Sequence, residues 1–213
     1  MAARKVHEPK LKINPIYWKI SLAPISGFLA GRATLWIYDF IEDKSVLLSQ
    51  GPDYFLSYKR VDLGIFAFLL WVIWCTIRAG IIEEGMKFLP LKFLFKSNYI
   101  LWGLMIGLGF GLNEAWYDAV HSDMGIPIID IVASRFLPIV FHMMSAGLMG
   151  LFILKKKWWL GYLIVVALHN SYNFLIDYNI YSGPEIIVTI EGIILGLGYY
   201  WHRIKQPRKA FAE

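Results

Sequence analysis

One cysteine, Cys75, is all that the chain of 213 residues offers, which excludes an intrachain disulfide and any cage built from several thiolates. It lies in an apolar run, about two turns before Glu83, with no electropositive neighbour in sequence beyond Arg78. It therefore reads as packing and not as a nucleophile. Charge is scarce as well: 17% of the residues are Asp, Glu, Lys or Arg, against about 25% in an ordinary soluble domain. Low-complexity linkers and long-period repeats are missing. So are the HExxH pair, the G-x-S-x-G elbow, the P-loop and the dinucleotide fingerprint, and with them the usual sequence support for a zincin, a serine hydrolase, a nucleotidase or a nicotinamide enzyme.

What is present is apolar. Hydrophobic residues make up 57% of the chain and aromatics 16%, which indicates an integral membrane protein. The length leaves room for a single domain over residues 1–213 and little for a separate soluble module. The formal charge of +5 sits in short clusters between apolar runs, the pattern of the positive-inside rule, so a nucleic-acid partner is not expected. The basic N-terminus precedes an apolar segment that contains Arg32 and lacks a small-residue cleavage site, so it reads as retained.

A membrane-spanning helix needs about 20 mostly apolar residues. Six segments meet or approach this, at 16–40, 61–82, 99–120, 130–154, 158–176 and 185–202. The expected fold is all-α, a polytopic transmembrane bundle of six to seven spans. Between the second and third spans, KFLPLKFLFK at 87–96 is amphipathic and broken by Pro90, which suits a short interfacial helix. The basic connections fall on one side each time, which places both termini in the cytoplasm. The expected location is the plasma membrane.

Within these apolar runs stand residues that lipid does not tolerate cheaply. IIEEGMKF, at 81–88, puts Glu83 and Glu84 side by side. On the third span Gly103, Gly107 and Gly111 recur every four residues and line one face, with Glu114 returning to nearly the same direction; such small residues let a neighbouring backbone approach closely. Asp118 and His121 continue outward and read as a helix end reaching solvent. The fourth span carries Arg135 and His142 seven residues apart, with Pro138 between them as a source of a kink. Arg135 is expected to pair with an inward acid, Asp118 or Glu114. In ALHNSYNF, His169 and Asn173 are four apart and so neighbours on one face. Taken singly, His142, His169 and Asn173 could be interhelical hydrogen-bonding glue. Taken together with the glutamates, they are most cheaply accommodated by convergence.

Such a set suits hydrolysis. Two histidines and a carboxylate, here His142, His169 and Glu114, can hold a catalytic zinc with a position left for water. A second carboxylate, Glu83 or Glu84, can then serve as general base, and Asn173 can hold an oxyanion or orient His169. Without metal, Glu83 or Glu84 could activate water directly. The competing class is a non-catalytic transporter or binding protein that uses these residues as an ion or proton relay. No inverted repeat or pair of symmetric broken helices favours it.

EEGMK, GLGFGLNEAWYD, FHMMSAGLMG and LHNSYN, in that order on successive segments, resemble the PrsW family of intramembrane proteases, grouped with the CAAX-prenyl-protease and bacteriocin-processing (CPBP) superfamily. The resemblance covers roughly residues 80–175. It implies an intramembrane endopeptidase acting on a membrane-embedded or juxtamembrane peptide. Glu83 and Glu84 would activate water, Lys87 would be the motif's basic residue, Glu114 the second acid, His142 and His169 the histidines, and Asn173 the oxyanion donor. Members of the superfamily are described both as zinc and as glutamate proteases. One geometric problem follows from the hydropathy boundaries: Glu83 and Glu84 end one span, whereas Glu114 lies about 22 Å along the next. Their meeting requires the second segment to continue past Glu84 towards Pro90, or the third to start earlier.

Overall fold

A computed structural model describes residues 15–44, 72–74, 76–121, 127–177 and 183–205. Every secondary-structure element among them is helical. Helix α1 runs Pro15–Lys44; a π-helical segment, Thr76–Glu83, leads into α2, Glu84–Phe93; α3 is Tyr99–His121, α4 Ile128–Ser134, α5 Phe136–Leu154, α6 Trp158–Asp177 and α7 Gly183–Lys205. Cys75 and most of the expected span 61–82 lie outside the described residues.

Three described helices are long and apolar enough to cross a membrane: Trp18–Ile41, Phe136–Leu154 and Trp158–Ile176. The hydropathy reading gave six to seven. The expected span 61–82 lies mostly outside the described residues, and α3 and α7 have 23 residues each but carry Asn113, Glu114 and Asp118, or Glu185 and Glu191, which interrupt their apolar stretches. The outward residues of α1, α3 and α6 include exposed Leu29, Trp36, Trp116 and Leu163, as lipid-facing surfaces require.

Two local expectations are corrected. The stretch 87–96 is not a separate interfacial helix: Glu83 has helical dihedrals, φ −63° and ψ −47°, so α2 simply continues the π-helical segment, and Lys87, Phe88 and Leu91 are buried. The span 130–154 is not kinked at Pro138. It breaks at Arg135, with φ −89° and ψ 0°, and Pro138 falls in the first turn of α5, where a missing N–H costs nothing.

Glycine sets the spacing of the bundle. A methyl group at Gly103 would strike the Ala146 carbonyl, and one at Gly107 the His142 carbonyl, so the Gly103 and Gly107 face lets α3 lie backbone to backbone on α5. On its other side, Gly109 meets the Pro24 carbonyl and Gly27 of α1 meets Ile106. Helix α3 is thus clamped between α1 and α5. Phe88, Leu91, Phe95, Trp102, Ile106, Leu148 and Val165 fill the space between the helices as one core cluster.

Gly107→Leu is expected to lower the thermal unfolding midpoint in detergent, since overpacking costs about 1–3 kcal/mol. Gly192→Ala, where an added methyl meets nothing within 4 Å, should leave the midpoint unchanged or slightly raised.

Candidate active site

Neighbouring residues of a helix differ in direction by about 100°, so Glu83 and Glu84 cannot point at the same spot. They instead take opposite nitrogens of one imidazole. Glu84 Oε1 lies 2.6 Å from His169 Nδ1, and Glu83 Oε2 lies 3.5 Å from His169 Nε2. The π-helical turn ends at this point, and such wide turns occur often at functional sites. Tyr38 of α1 steadies Glu83 from the far side: its hydroxyl lies 2.8 Å from Glu83 Oε1 and 2.7 Å from the Arg78 carbonyl, and its one proton serves either.

Lys87 is fully buried one turn further on. Its ammonium donates to Glu84 Oε1 at 2.5 Å, His142 Nδ1 at 3.0 Å and Ser145 Oγ at 3.3 Å, which uses all three of its protons. An ammonium cannot accept, so His142 Nδ1 is the acceptor and the ring proton sits on Nε2. That Nε2–H donates to Glu114 Oε2 at 2.7 Å. His169 has the opposite tautomer: Nδ1–H donates to Glu84, and the Nε2 lone pair is free to face Glu83. The two rings meet edge to face at 5.5 Å, with Phe141 edge-on to His169 and stacked on Tyr172.

A cavity of about 300 Å³ is lined by Glu83, Glu114, His142, His169, Asn173, Asp118 and Arg135 together with Tyr38 and Tyr172, while Glu84, Lys87 and Ser145 stand behind its wall. Glu83, Glu84, His142 and His169 are buried, whereas Glu114 has 27% of its side chain exposed. Asn173 is on the wall. Asp118 pairs with Arg135 near the mouth, one of the two partners expected for that arginine. His121 is exposed, stacked on Tyr117 and bonded to its carbonyl. It takes no part in the cavity.

Ligating atoms of Glu83, His142 and His169 all lie within 4.8 Å of one another. The expected ligand set had Glu114 in the place that this group gives to Glu83. Glu83 Oε2 is buried and has no hydrogen-bond partner among the described residues, as a carboxylate oxygen kept for a cation would be. His169 fits equally well, because metal-binding histidines commonly give their second N–H to a carboxylate, here Glu84. His142 fits once it gives up the Nε2 proton, and metal binding generally releases protons.

The sequence reading missed two residues of this network, Tyr38 and Ser145, and a further buried acid, Glu191. Tyr38 sits beside Asp39 near the end of the first span, and Ser145 is one turn from His142 but unremarkable as a serine. Glu191 on α7 is fully buried with neither oxygen bonded among the described residues. An acid inside an apolar run was its signal.

Residues 59–136 match the model of a family described as YhfC intramembrane metalloprotease. This supports an intramembrane protease family, but not the PrsW family in particular. The matched stretch includes Glu83, Glu84, Lys87 and Glu114 and ends before His142 and His169. No curated protein and no solved structure matches the chain.

Removing Lys87 would strand Glu84 as an uncompensated buried charge, which costs about 3–5 kcal/mol. Lys87→Met should therefore sharply lower thermal stability in detergent. Lys87→Met combined with Glu84→Gln should recover a large part of the loss, because residues in one network do not act additively.

Proposed function

We propose that the protein is an intramembrane endopeptidase that hydrolyses a peptide bond of a membrane-embedded or juxtamembrane substrate. The observation that carries this reading is the convergence of Glu83, His142 and His169 on one buried cavity, with Glu114 and Asn173 on its wall. The similarity of residues 59–136 to an intramembrane metalloprotease family supports it.

Glu83, His142 and His169 would hold a zinc ion, with Glu114 beside them. Bound there, zinc would lower the pKa of a water molecule and polarise the scissile carbonyl. Glu114 bonds His142 and lines the cavity, which supports the reading that it would take a proton from water and return it to the leaving amine. The Asn173 amide is the donor available for the oxyanion. Glu84 and Lys87 hold the two imidazoles from behind, and Tyr38 fixes Glu83. Restricting water to a cavity in the bundle strengthens each of these polar contacts.

We infer that α3 and α7 cross the membrane along with α1, α5 and α6, and that the second apolar segment does too. Residues 1–213 then form one domain, with both termini cytoplasmic and the protein in the plasma membrane. The four motifs that resemble the PrsW pattern lie on the π-helical segment, α2, α3, α5 and α6.

One observation favours a second reading, a metal-free glutamate mechanism. Lys87 donates to His142 Nδ1, which keeps a proton on Nε2 and lets Glu83 or Glu114 work with the histidines on water directly.

The test is cleavage of a quenched-fluorescence library of transmembrane peptides in proteoliposomes. Glu83→Gln, His142→Ala and His169→Ala should abolish cleavage. Glu114→Gln should lower kcat/KM by about 10²–10⁴, the usual range for a general acid or base. A chelator should abolish activity and zinc restore it. Insensitivity to chelation, with Glu83→Gln still inactive, would select the glutamate mechanism. Cleavage by all variants at the wild-type rate would overturn the protease reading.

A further inference from the structure

A second cavity lies on the outside of the bundle, where the π-helical segment and α2 meet the start of α6. It is a groove of about 310 Å³ walled by Ile81, Ile82, Met86, Leu89, Trp158 and Tyr162, a volume at the lower end of the range of small-ligand sites, about 300–1,000 Å³. The walls are apolar. The hydroxyl of Tyr162 is engaged by the Ile81 carbonyl at 2.7 Å. Ile81, Leu89 and Trp158 are exposed, so the groove opens outward to the bilayer.

Its rim is basic. Lys92 Nζ lies 3.8 Å from the centre of the Trp158 ring and 5.1 Å from that of Phe88. Lys155, Lys156 and Lys157 are exposed in the turn that runs directly into Trp158. Lys156 occupies a left-handed conformation, φ 56°, at a helix C-terminus where glycine is the easier residue. No Asp or Glu occurs between Glu84 and Glu114, nor between Asp130 and Asp177, so neither stretch supplies an acidic residue to balance these charges.

We propose that the groove is a binding site for an anionic phospholipid, one acyl chain lying along Ile81, Met86 and Leu89 and the headgroup phosphate among Lys92 and the Lys155–Lys157 turn. Basic clusters beside a membrane helix attract anionic lipid, and the apolar groove adds the chain contact that fixes one molecule. The occupant is not the peptide to be cut, because Glu83, Glu84 and Lys87 face the interior while the groove lies against the opposite side of the same helix. The inference does not depend on which reaction the inner cavity performs.

Native mass spectrometry of the full chain in detergent, with phosphatidylglycerol or phosphatidylcholine of identical acyl chains, tests it. Wild type should retain one phosphatidylglycerol at least tenfold more tightly than phosphatidylcholine. Lys92→Gln with Lys156→Gln should weaken phosphatidylglycerol by about fivefold per lysine. Leu89→Trp, which fills the groove, should abolish retention while the protein keeps its unfolding midpoint. Equal binding of the two lipids, or unchanged retention in the lysine variant or in a folded Leu89→Trp protein, overturns the proposal. One-for-one displacement of the lipid by a transmembrane peptide would assign the groove to substrate and overturn it as well.

Discussion

A lysine with no exposure to solvent, inside a bundle of apolar helices, must have an acceptor for every proton it carries, and Lys87 has three: Glu84, His142 and Ser145. The rest of the cluster is built outward from that ammonium. Through Glu84 it fixes the Nδ1 side of His169. Through His142 Nδ1 it sets the tautomer that faces Glu114. A buried charge of this kind is poor evidence for stability, and its cost is better explained by the two imidazoles that it orients.

That orientation also depends on packing. Helix α5 can present His142 to Lys87 and Glu114 only because Gly107 allows α3 to lie against the His142 backbone. The uninterrupted passage from the π-helical segment into α2 carries Glu83, Glu84 and Lys87 through the interior of the bundle and so removes the mismatch in depth that hydropathy boundaries create. Close backbone contact and buried polar contact therefore support one another. Polar side chains along the bundle can meet only where the helices approach closely, and that approach is paid for by residues without side chains.

Much of this was legible in the sequence for a physical reason: Glu83, Glu84, Glu114, His142 and His169 are polar residues in runs where lipid penalises them, so each stood out. The glycine face was legible from its spacing of four. The division of labour between the acids was not. Whether Glu83 or Glu114 joins the two histidines depends on rotations of about 100° per residue and on the π-helical turn, which no hydropathy window resolves. Tyr38 and Ser145 gave no signal because a tyrosine or serine in an apolar helix is unremarkable until its partner is known. The break at Arg135 was misplaced at Pro138, since proline in a first helical turn does not bend the chain. Fewer described helices are apolar enough to cross a membrane than the hydropathy reading counted as spans, because acids such as Glu114 and Glu191 interrupt the apolar stretches of α3 and α7.

In the proposed site Glu83, His142 and His169, whose ligating atoms lie within 4.8 Å of one another, would hold one zinc ion. X-ray absorption at the zinc edge on the purified protein tests it most directly. The expected spectrum is that of one zinc per chain bound by two imidazole nitrogens at about 2.0–2.1 Å and carboxylate oxygen at about 2.0–2.2 Å, with that signal lost when both histidines are replaced. A zinc spectrum unchanged by replacing both histidines, or fully active protein containing no metal, would contradict it.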